Sequence, residues 1–197
     1  MAWRNWVLPR SSLDMRGRTA VNAGFATAYA LTFGGRPHWL SARGLGYGLA
    51  SAGVATAGYG AAVAIPAIRS RLTPYADRSP DIRLGEWVAV HIPIGTAYSE
   101  ELIFRTTLDP LLDNTFGSSR GALLAAATFG LWHIQPARAA GDSVPASVAA
   151  TAVGGLVFDL LRRRTDSATA AALLHFAINA GGALAPRIAA RLASVRS

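Results

Sequence analysis

The chain has 197 residues, 51% of them hydrophobic and only 15% charged, where an ordinary soluble domain carries about 25% charged residues; this is the balance of a membrane protein. Its net charge of +8 rests on arginine alone, and those arginines stand at the ends of apolar runs rather than in one patch, so no nucleic-acid partner is expected. The absence of cysteine excludes a disulfide framework, a thiolate nucleophile and a cysteine metal ligand.

In chain order, the first apolar stretch is 19–34, preceded by four arginines. The small residues ATAYA at 26–30 would suit signal-peptide cleavage, but Asn22 and Thr27 make a poor signal core, so a retained span is expected. Four runs without Asp, Glu or Arg follow at 44–68, 121–137, 143–158 and 167–186, and a span needs about 20 apolar residues. A weaker candidate opens at Trp87 and carries SEELIFR, residues 99–105. The sequence therefore predicts an all-α, polytopic transmembrane bundle of six spans, or five, forming a single membrane domain over 1–197.

Between the second and third spans, residues 69–86 are rich in proline and mixed charge and read as a solvated or interfacial loop. Placing the N-terminus and the even-numbered connections on one side gives that side twelve arginines, from Arg4 to Arg196. The other side receives six, Arg36, Arg43, Arg120, Arg162, Arg163 and Arg164. The positive-inside rule then predicts a multi-pass cell-membrane protein with both termini cytoplasmic, against which the triple arginine at 162–164 argues.

Ionisable groups within spans are costly and mark functional sites by default. Two of the three glutamates in the chain, Glu100 and Glu101, lie inside the third span. Residues four apart share a helix face, so Glu101 can pair with Arg105, while Glu100 points along another face. A hairpin around DNTFGSS at 113–119 makes the third and fourth spans antiparallel, placing Glu100 and His133 both about 18 to 20 Å from the turn at 1.5 Å per residue. The sixth span starts on the same side, bringing His175 to about 12 Å and Asn179 to about 18 Å depth, one turn apart on one face. This cluster suits activation of water by a carboxylate and an imidazole, with an imidazole and an amide holding a developing oxyanion, the chemistry of peptide-bond hydrolysis. His91 reads as a hydrogen-bonder between helices, His38 as a solvent-facing loop residue, and Phe104, Phe129 and Trp132 as packing.

The motifs EExxxR (Glu100, Glu101, Arg105), FxxxH (Phe129, His133) and HxxxN (His175, Asn179), in that order on separate apolar helices, resemble the CPBP intramembrane proteases. That family includes the CAAX prenyl endopeptidases and the bacteriocin-processing or immunity proteins, also called the Abi family. The resemblance covers 86–186, which it marks as the catalytic core, and leaves the spans and loop of 1–85 outside it. It implies an intramembrane endopeptidase of the glutamic type, with no cofactor and no bound metal, acting on a membrane-associated peptide or protein, lipidated or not, in the lipid bilayer. By matching motifs, Glu100 would be the base, His133 would help to activate the water, and His175 and Asn179 would form the oxyanion site, with Glu101 and Arg105 as the orienting pair.

Three other readings compete. GSSRG at 117–121 fits G-x-S-x-G, and Ser119 with His175 would resemble a rhomboid serine protease, although the strand-to-helix setting of a nucleophile elbow is missing. Glu100, His133 and His175 could form a three-ligand zinc site, although no HExxH spacing is present. A non-catalytic scaffold or immunity protein would keep the polar cluster for helix packing alone.

Overall fold

A computed structural model describes residues 1–78 and 80–194, and every regular element within them is helical. Arg196, counted above toward the cytoplasmic side, lies outside the described residues. A helical segment over 3–10 precedes α1 (Met15–Phe33), α2 (Ala42–Ala64), α3 (Pro66–Leu72), α4 (84–116), α5 (Ser118–Trp132), α6 (Ile134–Ala140), α7 (Val144–Thr165) and α8 (Thr169–Ser194). Polar caps start the first two helices: the Asp14 carboxylate accepts from Gly17 N–H at 2.7 Å and Ser41 Oγ from Gly44 N–H at 2.9 Å, each pairing a backbone donor that the helix leaves open.

Helix α4 is the centre of the fold and is not a regular α-helix. Its stretches Trp87–Tyr98 and Phe104–Leu108 are π-helical and flank the α-helical turn Ser99–Ile103 that carries Glu100 and Glu101. Pro93 inside the first stretch has no N–H to donate, and side chains take up carbonyls of the widened turns. Asn22 Nδ2 donates to Gly95 O at 2.6 Å, and Ser99 Oγ to Ile94 O at 2.8 Å. Such π-turns often mark functional positions.

Helices α1, α5, α7 and α8 pack against α4. Thr19, Asn22, Ala26 and Ala30, spaced three and four apart, form the buried face of α1, which packs on α4. Helix α2 lies along α8, where the Tyr59 hydroxyl donates to Ile178 O at 2.9 Å. The α4–α5 hairpin turns at Gly117, whose φ of 80° suits glycine. Helices α5 and α7 approach closely at Gly155, where a Cβ would stand 3.2 Å from the Phe129 ring, the small-residue contact typical of membrane bundles.

The structure corrects three boundaries. The run 44–68 is not one straight helix: Pro66 lacks the N–H that would continue α2, and the chain turns by 100° into the next helical stretch. The run 121–137 is likewise two helices, broken at His133. Residues 66–75, partly assigned to a loop by the sequence, are helical.

Among the described residues one helix, Val144–Thr165, is by itself long and apolar enough to cross a membrane, and a second qualifies if the bent pair Ala42–Ala64 and Pro66–Tyr75 is one span. Large apolar side chains nevertheless stand on the surface while several charged ones are buried. Leu31, Val54, Leu123 and Val153 are 80%, 75%, 64% and 61% exposed, while Glu100, Glu101, Arg105 and Asp109 are at most 1% exposed.

Candidate active site

Glu100 and Glu101 are adjacent on α4 and point along different faces, and each meets a separate set of partners. Glu101 is fully buried. Its Oε2 accepts from Arg105 Nε at 3.2 Å, the i, i+4 pair predicted from the helix, and its Oε1 accepts from His175 Nδ1 at 2.8 Å. Arg105 Nη1 then donates to Asp109 Oδ2 at 2.8 Å and to Gly155 O at 3.1 Å, and the guanidinium lies 4.8 Å from the centre of the Phe129 ring. His175, Glu101, Arg105 and Asp109 thus form one continuous chain that ties α8, α4 and α7 together.

Glu100, 1% exposed, uses its two oxygens differently. Oε1 accepts from Trp132 Nε1 at 3.1 Å. Oε2 takes no hydrogen bond from the described residues, and Nε2 of His133 and Nε2 of His175 stand 3.7 Å and 3.8 Å from it. Both separations exceed a hydrogen bond, so neither ring is bonded to Oε2 directly.

The second ring nitrogens are already committed. His133 Nδ1 lies 2.8 Å from Phe129 O, which can only accept, so it carries a proton. His175 Nδ1 faces the Glu101 carboxylate and does the same. In the neutral rings both Nε2 atoms therefore present lone pairs toward Glu100. His133 occupies the break between α5 and α6, with φ −95° and ψ 5°, in the sparsely populated bridge region.

Glu100 and His133 open onto a cavity of about 670 Å³, which Asn179 also lines, one helical turn beyond His175 on α8. The structure thus brings together Glu100, His133 and His175 directly, places Asn179 on the same cavity, and sets Glu101 and Arg105 behind them. Among the described residues no group of three or more His, Cys, Asp or Glu has the geometry to hold a metal ion.

Two polar partners were missed in the sequence. Trp132 packs, at 2% exposure, but also donates to Glu100, and so is more than packing. Asp109 extends the Glu101 and Arg105 spacing by four more residues, a signal that was present and unused. His91 bonds between helices as expected, its Nδ1 2.7 Å from Thr19 Oγ1. His38 is half exposed, and its Nδ1 lies 3.0 Å from Asp166 O.

The serine arrangement is not formed. Ser119 is exposed on the first turn of α5, about 20 Å of helix from His133 at 1.5 Å per residue, while His175 faces the two glutamates.

At the N-terminal end of α1, beside the first turn of α4, Arg16 bonds both oxygens of Glu86, at 2.6 Å and 3.0 Å. These hydrogen bonds, with a smaller one from His91, hold the Glu86 carboxyl down at about 2, against an ordinary 4.5.

Residues 84–181 match the family model described as "Rce1-like: Type II CAAX prenyl endopeptidase Rce1-like". No curated protein and no solved structure matches the chain.

Proposed function

We propose, from the premise that the chain belongs through residues 84–181 to the Rce1-like type II CAAX prenyl endopeptidase family, that it hydrolyses a peptide bond of a membrane-associated peptide or protein. The single observation that carries this reading is the buried Oε2 of Glu100, which takes no hydrogen bond from the described residues and faces Nε2 of both His133 and His175, with Glu100 and His133 lining a cavity.

In the mechanism, a water oxygen binds between Glu100 Oε2 and His133 Nε2. Glu100 takes one of its protons as the oxygen attacks the substrate carbonyl, and His133 accepts a hydrogen bond from the other. The tetrahedral oxyanion is held by the Asn179 amide and by His175 Nε2–H. Donation from Nε2 needs the doubly protonated ring, for which Glu101 supplies the counter-charge at Nδ1. Collapse breaks the C–N bond, and the proton on Glu100 passes to the leaving amine, restoring the carboxylate. Trp132 keeps Glu100 Oε1 bonded throughout, so that Oε2 is the reacting oxygen.

The multi-pass topology, six spans with both termini cytoplasmic, belongs to the same proposal. It is supported by the outward-facing leucines and valines and the inward-facing charges, the polarity that lipid demands. The buried polar residues on α4 and α8 lower the apolar character of those helices without exposing charge to the bilayer.

The test compares cells expressing the wild-type chain with cells expressing Glu100→Ala at equal membrane level, by mass spectrometry of protein termini. New termini that vanish in the variant support proteolysis and identify the substrate class. Identical profiles in cells that keep the chain's phenotype would replace it with the non-catalytic scaffold.

A further inference from the structure

The break that sets His133 between α5 and α6 is bridged by a side chain of the N-terminal segment. In an uninterrupted helix, the N–H of Gln135 would bond the C=O of Leu131, four residues back. Here the side-chain amide of Asn5 stands between them: its Nδ2 donates to Leu131 O at 2.9 Å, and its Oδ1 accepts from Gln135 N–H at 2.9 Å. One carboxamide thus stands in for one backbone hydrogen bond, accepting from Gln135 N–H and donating to Leu131 O. Pro136, next in line, has no N–H for Trp132 O, so the ladder is already weak at this turn. A side chain inserted into the helical ladder is a recognised origin of a kink. The two groups that Asn5 holds lie on either side of His133, whose Nε2 faces Glu100.

The wedge is itself fixed. Trp3 Nε1 donates to Asn22 Oδ1 at 2.8 Å and its ring stacks on Phe25 at 4.4 Å, which anchors the segment over 3–10 to α1. Asn22 continues to Gly95 O on α4, the helix that carries Glu100. A path of hydrogen bonds therefore runs from α4 through α1 and the N-terminal segment to the backbone at His133. All of the segment lies outside the residues that match the family.

We propose that Asn5 is the positioning residue for His133, its carboxamide inserted between Leu131 and Gln135 so as to hold the imidazole toward Glu100. The proposal rests on the proteolytic reading for its effect on rate, and on geometry alone for its effect on the ring.

The test uses the full chain in detergent with isotope-labelled histidine, whose His133 ring signals are assigned by His133→Gln, together with kinetics on a peptide identified from the termini profile. Asn5→Leu keeps the side-chain size and loses both hydrogen bonds. The expected result is a shift of the His133 ring signals with those of His38 unmoved, and a kcat lowered by about tenfold to 100-fold with KM unchanged, the scale of a sub-ångström to 1 Å misplacement. Asn5→Asp keeps the acceptor toward Gln135 and loses the donor toward Leu131, and is expected to fall between wild type and Asn5→Leu. Unchanged His133 signals and unchanged kcat in Asn5→Leu overturn the proposal. Should that variant not reach the membrane, the same two readings are taken from Asn5→Asp. If the wild-type chain gives no Glu100-dependent cleavage, the proteolytic reading fails by itself. The His133 signals then still decide, a shift upholding the wedge and its absence overturning it.

Discussion

Nδ1 of His175 lies 2.8 Å from Oε1 of Glu101, and that contact joins the last helix of the fold to the ion-pair chain of α4. It divides the labour between two neighbouring glutamates. Glu101 is saturated by His175 and Arg105, while Glu100 keeps one oxygen without a hydrogen-bond partner among the described residues.

Removing Arg105 strands Glu101 and Asp109 together in a dry core. Breaking a buried ion pair from one side costs about 3–5 kcal/mol, so Arg105→Ala is expected to lose that much or to fail to accumulate. Arg105→Lys keeps the charge but cannot reach Glu101, Asp109 and Gly155 at once, and is expected to recover only part of it. Denaturant unfolding in detergent measures both.

Trp132→Phe retains an aromatic ring against Phe104, whose centre lies 5.4 Å away, and deletes the N–H that bonds Glu100. Leaving a buried acceptor unpaired costs about 1–3 kcal/mol. We expect a loss of stability in that range and a lower kcat, since Glu100 Oε1 no longer has a fixed donor. Thermal unfolding and substrate kinetics, taken together, separate this from simple loss of packing, which would leave kcat per folded molecule unchanged.

Asn179 lines the cavity and bonds to no other side chain among the described residues, so Asn179→Ala is expected to leave stability nearly unchanged. An oxyanion donor is worth about 10²- to 10³-fold in kcat, and the variant is expected to lose that much with little change in KM. A stable variant with wild-type kcat would remove Asn179 from the mechanism.

Ser119→Ala is expected to be silent in every assay, because that residue sits exposed at the far end of α5. Metal removal by a chelator is likewise expected to leave turnover unchanged, since the mechanism assigns every proton transfer to side chains of this chain. Loss of activity on chelation, restored by a divalent cation, would return the three-ligand zinc reading of Glu100, His133 and His175.

The Arg16 and Glu86 pair predicts a pH effect of defined sign. Glu86 titrates at about 2 in the fold against an ordinary 4.5, so the folded state favours its ionised form. The pair's contribution is fully present above about 4.5 and declines as pH falls from there to about 2. Comparing wild type with Glu86→Gln by thermal unfolding across pH 6 to about 2, the difference in stability is expected to shrink only within that window.

The sequence by itself determined the helical class and the i, i+4 pairing of Glu101 with Arg105, and it placed Glu100, His133 and Asn179 at a common depth with His175 one turn from Asn179. Helical rise and periodicity are local properties, and a short hairpin fixes how two helices align. Three motifs in order were enough to indicate the family. Tertiary structure decided what local periodicity cannot express: which oxygen of Glu100 stays open, that His175 is held by Glu101, and that Trp132 is a donor. It also decided that α5 ends at His133. Pro136 inside the apolar run weakens the ladder locally, but the bond that Asn5 makes to Leu131 O comes from 126 residues away along the chain. Long-range contacts of that kind depend on how the helices pack, and no spacing within a single segment records them.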